Sequence, residues 1–257
     1  MNKPNNIKLV GNSPSSRDVA FHLHPYTNPA QLQATGPHII SQGEGVFVYD
    51  DSGNRFYEGM SGLWCTALGF SEPELVNAAI AQFNKLPFYH SFAGKTVDPA
   101  IELAEMLIAN APPAGDSSHM SKVFFAASGS EANDTAMKMV WYYNAALGRP
   151  EKRKIISRKK GYHGVTMAAA SMTALPYAQD GFGLPLDFVK HTAAPDYYNE
   201  AQSGESEEEF SNRCAAELEE LILTEGPDTV AALFAEPVMG AGGVIIPPTG
   251  YFQKIRS

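Results

Sequence analysis

KVFFAASGSEANDTAMKMVWYYNAAL, residues Lys122 to Leu147, holds the reading that decides the fold. Its first part, Val123-Phe124-Phe125-Ala126-Ala127, is a short apolar run without alternation, which predicts a strand buried on both faces. Ser128-Gly129-Ser130 then makes a tight turn of small residues. Beyond it Ala132, Ala136, Met139, Val140, Tyr143 and Leu147 recur at helical spacing, which predicts that they face inward. Ser128 and Glu131 have the capping-box separation, and Gly148 with Pro150 supplies a stop. A strand, a small turn and a helix in that order aim free backbone N–H groups and the positive end of a helix dipole beyond the sheet. Phosphate is the natural occupant of such a place. An ordinary capped helix with nothing bound has the same pattern, since SGS is far shorter than a P-loop.

Working outward, the neighbouring segments repeat the alternation of strand and helix. Lys154–Ser157 (KIIS), Phe188–His191 and Thr229–Ala235 (TVAALFA) read as strands, the last ending in Glu236-Pro237 and a glycine-rich loop, Gly240–Gly243. Val165–Leu175 reads as helical, and Ser206–Thr224 as an acidic amphipathic helix capped by Ser206 and Glu209 and stopped at Gly226-Pro227. Ser71–Leu86 is a helix with a Ser71/Glu74 box and Leu75, Ala79, Phe83 and Leu86 on one face. Asp98-Pro99 opens another, with Ile101, Ala104 and Leu107 inward and Pro112-Pro113 closing it. Gly45–Asp50 and Arg55–Glu58 form a β-hairpin around Asp51-Ser52-Gly53-Asn54, and residues 1 to about 20 are polar and loosely ordered. The predicted class is α/β with a mostly parallel sheet and helices on both faces.

The chain of 257 residues has 44% hydrophobic and 18% charged residues, the balance of a globular protein. A net charge of −9 argues against a nucleic-acid partner. No apolar run reaches membrane-spanning length and the opening MNKPNNIKLVGNSPSS lacks a signal peptide's apolar core, so the expected location is cytoplasmic, with no membrane partner. The two cysteines, Cys65 and Cys214, are far apart, and Cys214 falls in line with Phe210, Leu218 and Leu221 as a buried thiol. His22 and His24 lie two apart on an extended chain with no acidic or third histidine ligand read beside them, so no metal site is expected.

Ligands in open α/β sheets gather beyond the carboxyl ends of strands. Three such ends carry candidate groups: Ser128-Gly129-Ser130 for a phosphate, Tyr162-His163 with a flat ring and an imidazole, and Glu236, a carboxylate costly at an apolar strand end unless partnered. Together they suit a phosphorylated aromatic ring. Each also has a plain structural role open to it: Tyr162 and His163 can pack a turn, and Glu236 can join an ion pair. No G-x-S-x-G elbow occurs, which disfavours a hydrolase.

Ser128-Gly129-Ser130-Glu131-Ala132-Asn133, Gly161-Tyr162-His163-Gly164 and Glu236-Pro237-Val238 through Gly243 occur in an order that resembles the signatures of class III aminotransferases, pyridoxal-phosphate (PLP) enzymes of fold type I. HPYTN (His24–Asn28), the hairpin GVFVYDDSGNRFYEGMSGLWC and PFYHSF (Pro87–Phe92) resemble the ω-amino acid:pyruvate and amine:pyruvate branch. The resemblance implies PLP as cofactor, held by Gly129, Ser130, Tyr162, His163 and Glu236, with Tyr162 stacked on the pyridine ring and Glu236 supporting the groups around its nitrogen. It implies a substrate pocket of Tyr26, Trp64 and Phe92, amine and keto acid substrates, and a homodimer. Residues 1–60 would belong to the small domain and 61–257 to a large domain incomplete at its C-terminus. The imine-forming lysine and the acid at the ring nitrogen lie beyond Ser257 in the family, so the chain by itself is expected to be inactive. Three alternatives stay open: another fold type I reaction (aminomutase or decarboxylase), an NADP-binding oxidoreductase using Arg158-Lys159-Lys160 on the 2′-phosphate, and a non-enzymatic fragment.

Overall fold

Lys154–Arg158 (β4) is the middle strand of a parallel sheet, flanked by Val189–Thr192 (β5) on one side and Val230–Leu233 (β6) on the other. This is a computed structural model that describes residues 11–112 and 120–257. Ile155 pairs with Val189 and Ala232, and Ile156 with Lys190 and Leu233. The strands follow the KIIS, FVKH and TVAALFA runs, whose branched and apolar residues suit a sheet covered on both faces.

Period-two alternation sorts the side chains of β4. Ile155 joins Met137, Ala169, Met172 and Val189 in a core packed against the helices Gly129–Ala146 (α5) and Met167–Met172 (α6). Ser157 shares that face and donates its hydroxyl to the Met172 carbonyl at 2.8 Å. Arg158 turns the other way, toward the Tyr251 and Phe252 rings of helix Tyr251–Arg256 (α8). Phe210 and Cys214 of helix Glu207–Glu225 (α7) join Tyr251 in a second core, each such side chain contributing about 1.5–3 kcal/mol on burial. Helices therefore cover both faces of the sheet. The chain leaves β4 for β5 on one side and returns across it to β6 on the other, which makes the carboxyl end of β4 a switch point.

By packing, the chain divides into two compact units, Met1–Leu103 and Ala104–Ser257, the division falling within the helix Asp98–Asn110 (α4). Within the first unit, Ile40–Glu44 (β1), Phe47–Asp50 (β2) and Arg55–Tyr57 (β3) form an antiparallel meander. Its turn is built as read: the Asp50 carboxylate accepts the Ser52 and Asn54 N–H groups at 3.0 and 2.8 Å, and Gly53 takes φ 83°. Helices Pro14–Phe21 (α1) and Pro29–Thr35 (α2) precede it, and Pro73–Lys85 (α3) follows. Among the described residues no helix is long and apolar enough to cross a membrane.

The structure corrects several expectations. Val123–Ala127 is not a strand: among the described residues no strand lies beside it, so its backbone has no ladder to join, and Phe124 and Phe125 are exposed. The inward face of α5 is Met137, Trp141 and Asn144, while Met139, Tyr143 and Leu147 are exposed. Both stripes of α5 are apolar, and periodicity alone could not choose between them. The cap of α3 is Glu72, whose carboxylate accepts the Glu74 N–H; Ser71 instead donates to the Gly43 carbonyl at 2.7 Å. Its Leu75 and Phe83 are exposed, as are Ile101 and Leu107 of α4. Residues 14–21 are helical rather than loose, since Ser13 caps the Ser16 N–H and Pro14 opens the turn; His22 follows that helix directly and has the extended backbone expected of it, φ −110° and ψ 123°. Residues 1–10 and Pro113 lie outside the described residues.

Candidate functional site

Three chain segments are tied together above the carboxyl end of β4. The loop that leaves the strand, Lys159–Val165, is pinned from beneath by Thr173, which ends α6. The buried Thr173 hydroxyl oxygen accepts the N–H groups of His163 and Gly164 at 2.8 and 3.2 Å. Helix α5 holds the same loop from the side: Ser130 Oγ accepts the Val165 N–H at 3.0 Å, and Asn133 Nδ2 donates to the His163 carbonyl at 2.7 Å. Beyond β6, the half-buried Glu236 carboxylate accepts the Tyr162 N–H at 3.0 Å through Oε1 and the Gly240 N–H at 3.1 Å through Oε2. Residues 128–130, 161–165 and 236 therefore share one rim. Glu236 is satisfied by backbone donors rather than by an ion pair, and Arg158 donates to its carbonyl oxygen.

The approach of α5 to the loop is close. A Cβ on Gly164, which has φ 134°, would lie 2.9 Å from the Ser130 Cα. At Gly129 the opposite holds: a Cβ there would have nothing within 4 Å. Ser128 Oγ accepts the Glu131 N–H at 3.1 Å, and the Glu131 carboxylate reaches back to the Ala127 N–H at 2.9 Å. The Gly129 and Ser130 N–H groups open an 18-residue helix and have no intrahelical acceptor. Open space beside two such donors, next to the half-buried Tyr162, fits a phosphorylated aromatic ring such as PLP.

Beneath the rim the environment is buried and polar. Burial, then the Arg158 charge, then His191 push His163 down to about 4, so its imidazole is neutral at neutral pH. Burial likewise lowers His191. Arg158 is 1% exposed, and its Nε and Nη1, with His163 Nε2 and His191 Nε2, have no partner among the described residues. Lys160 is bound to Asp196 at 2.7 Å and Glu200 at 3.0 Å, which raise its pKa. The NADP reading of Arg158-Lys159-Lys160 is therefore wrong: the first cation is buried under the rim and the third is already paired. Cys214 is buried as read, and burial raises its thiol to about 11. Thr173 and Asn133 were not singled out as site residues from the sequence, and Arg158 only as one of the NADP cations.

In the first unit, Tyr26, Trp64 and Phe92 are exposed at 65%, 64% and 81%. Tyr26, Trp64 and the Phe92 neighbour Ala93 have positive φ, so these segments are tight turns. Asp18, unnoticed in the sequence, meets both His22 and His24.

Comparison with known proteins gives the family of the chain. A model of the class-III aminotransferase family matches residues 30–257. The mitochondrial gamma-aminobutyrate transaminase 1 of Oryza sativa subsp. japonica is 52% identical over 235 residues, covering 91% of this chain and 45% of the relative. The chloroplastic gamma aminobutyrate transaminase 3 of Solanum lycopersicum is 50% identical, covering 91% of this chain and 44% of the relative. The crystal structure of the omega transaminase from Pseudomonas jessenii in complex with PMP superposes with a TM-score of 0.91 at 56% identity, over 95% of this chain and 53% of that one. The PMP-bound aminotransferase from Vibrio fluvialis gives 0.89 at 44% identity, over 99% and 53%. The chain thus spans about half the length of the curated relatives it matches. The cytoplasmic location expected from the sequence is overturned, because these plant relatives are mitochondrial or chloroplastic and the lack of a leader-like opening was no guide to compartment. PLP is the cofactor of the family, whose fold is fold type I. With the family match running over residues 30–257 and the ordered motifs gathered at one rim, this chain belongs to the class-III aminotransferases.

Proposed function

We propose that this chain carries the cofactor cradle of a transaminase that moves an amino group from an ω-amino acid or amine to pyruvate or a similar keto acid. The observation that carries this reading is the rim itself, where an open helix N-terminus at Gly129-Ser130 faces the loop bearing Tyr162 and the Glu236 carboxylate. Gly129 and Ser130 would donate backbone N–H groups, and Ser130 its hydroxyl proton, to the phosphate. Tyr162 would cover one ring face, and Glu236 would fix the Tyr162 backbone so that the ring cannot drift. His163, neutral and buried, would stiffen the loop from beneath. Bound PLP supplies the electron sink for amino-group transfer. The curated relatives named as gamma-aminobutyrate transaminases and the omega transaminase neighbours support this substrate class over an aminomutase or decarboxylase.

Residues 1–60 would form part of the small domain and 61–257 the cofactor-binding large domain, a division by role rather than by packing. Tyr26, Trp64 and Phe92 would serve the substrate pocket, and a homodimer would cover the apolar faces left exposed on α3 and α4. None of the lysines near the rim is placed for the covalent step. Lys160 is held protonated by two carboxylates, Lys190 lies 3.5 Å from Glu225, and Lys159 is exposed. The purified chain is therefore expected to give no amino transfer to pyruvate; turnover above the protein-free rate would refute this part.

Pyridoxamine phosphate is the direct probe of the cradle, since it has no aldehyde to label surface lysines. Calorimetric titration of the chain is expected to give saturable binding, at least tenfold tighter than pyridoxamine lacking the phosphate, about 1.4 kcal/mol or more. Equal affinity for the two would remove the phosphate assignment.

A further inference from the structure

Outside the rim, among the described residues, one cluster of metal-ligating groups stands in the first unit, where the family's cofactor chemistry gives it no task. Asp18 lies in α1, His22 follows that helix directly and His24 comes two residues later. Asp18 Oδ1 is 3.0 Å from His22 Nδ1, and Oδ2 is 2.7 Å from His24 Nε2. The i,i+4 spacing brings Asp18 under His22, and His24 reaches the other oxygen of the same carboxylate, with the two imidazole centroids 4.1 Å apart. One ligand atom from each of the three residues lies within 4.8 Å of the others.

We propose that Asp18, His22 and His24 form a binding site for a single divalent cation of borderline softness, Zn²⁺ in the first place. The donor set decides the class: two imidazole nitrogens and one carboxylate oxygen suit zinc and its first-row neighbours, while magnesium and calcium take oxygen ligands. A tetrahedral zinc ion with bonds of about 2.0–2.2 Å holds its ligand atoms about 3.3–3.6 Å apart, so the present 2.7 and 3.0 Å contacts would open by about 0.3–0.9 Å and ligand atoms as far apart as 4.8 Å would draw together by about an ångström. Each ring nitrogen facing the carboxylate carries a proton in one tautomer and a lone pair in the other. A neutral imidazole therefore becomes a ligand by moving its proton to the outer nitrogen. A hollow of about 360 Å³ beside the histidines, lined also by Thr27 and Gln33, leaves the fourth position to water.

The test uses the full chain, stripped with a chelator and titrated with ZnCl₂ by calorimetry and with CoCl₂ by visible absorption. One equivalent should bind, with the intense d–d band of tetrahedral cobalt. Asp18→Asn and His24→Gln should each weaken binding by more than tenfold, with helical circular dichroism unchanged because both substitutions keep a polar side chain of similar size at a half-buried position. His38→Gln, which alters a separate histidine beside Asp50, and Cys65→Ser, which removes the exposed thiol, should leave binding intact. No saturable binding, full affinity in Asp18→Asn, or binding lost only in Cys65→Ser would each overturn the proposal and leave a hydrogen-bonded cluster only.

Discussion

Gly164→Ala is expected to destabilise the protein by about 2–6 kcal/mol and to open the rim. Two separate penalties act at this position. Gly164 has φ 134°, a conformation that an L side chain adopts only under strain of about 1–3 kcal/mol. The added methyl would also meet the Ser130 Cα at 2.9 Å and its Oγ closer still, and overpacking of this kind costs about 1–3 kcal/mol. Relief requires α5 to retreat from the loop, which breaks the Val165 N–H to Ser130 Oγ and Asn133 to His163 hydrogen bonds. Urea unfolding followed by circular dichroism measures the loss. A change below about 0.5 kcal/mol, the range of an ordinary surface substitution, would mean that helix and loop are not in contact as described.

Acidification provides the second large effect. His163 is held at about 4 in the folded chain, against an ordinary value of 6.5 once unfolded. Between those values the unfolded chain binds a proton that the folded chain refuses, so stability is fully present above pH 6.5 and falls as pH drops toward 4. A difference of 6.5 − 4 units corresponds to about 3 kcal/mol from this one side chain. His191, lowered by the same burial, adds to the loss with the same sign. His163→Asn should flatten the dependence of unfolding free energy on pH across this window by about that amount. An unchanged slope would show that the imidazole is reached by water and charges freely.

Both effects depend on groups that were only partly legible in the sequence. The strands β4, β5 and β6 were readable because each is a short apolar run between turn signals, and the Ser206/Glu209 box of α7 closes as written, with the Ser206 N–H at 2.9 Å from the Glu209 carboxylate. The apolar run before Ser128 had the same appearance, yet a strand exists only with neighbours to pair with, and periodicity is silent on neighbours. The inward face of α5 was misread because Met137 and Trp141 are as apolar as Met139 and Tyr143. Packing chose the stripe on which the Trp141 indole could donate to the Arg153 carbonyl at 2.8 Å.

At the site, Glu236 was conspicuous as a carboxylate at an apolar strand end, and Ser128-Gly129-Ser130 as a small-residue helix start. What held them together was not legible. Thr173 and Asn133 act through backbone hydrogen bonds, across 10 and 30 positions of sequence, which no local pattern encodes. Arg158 looked like an exposed loop cation because two lysines follow it. The alternation of β4 instead turns it inward beneath the rim.

The central claim is that the open N-terminus of α5 is where a phosphate sits. The most direct measurement is the dissociation constant of pyridoxamine phosphate for Gly129→Ala beside the unaltered chain, with unfolding free energy measured on the same samples. Because a methyl at Gly129 meets no protein atom within 4 Å, stability should hold or rise slightly while affinity falls at least tenfold. Undiminished affinity in a variant of full stability would contradict the assignment.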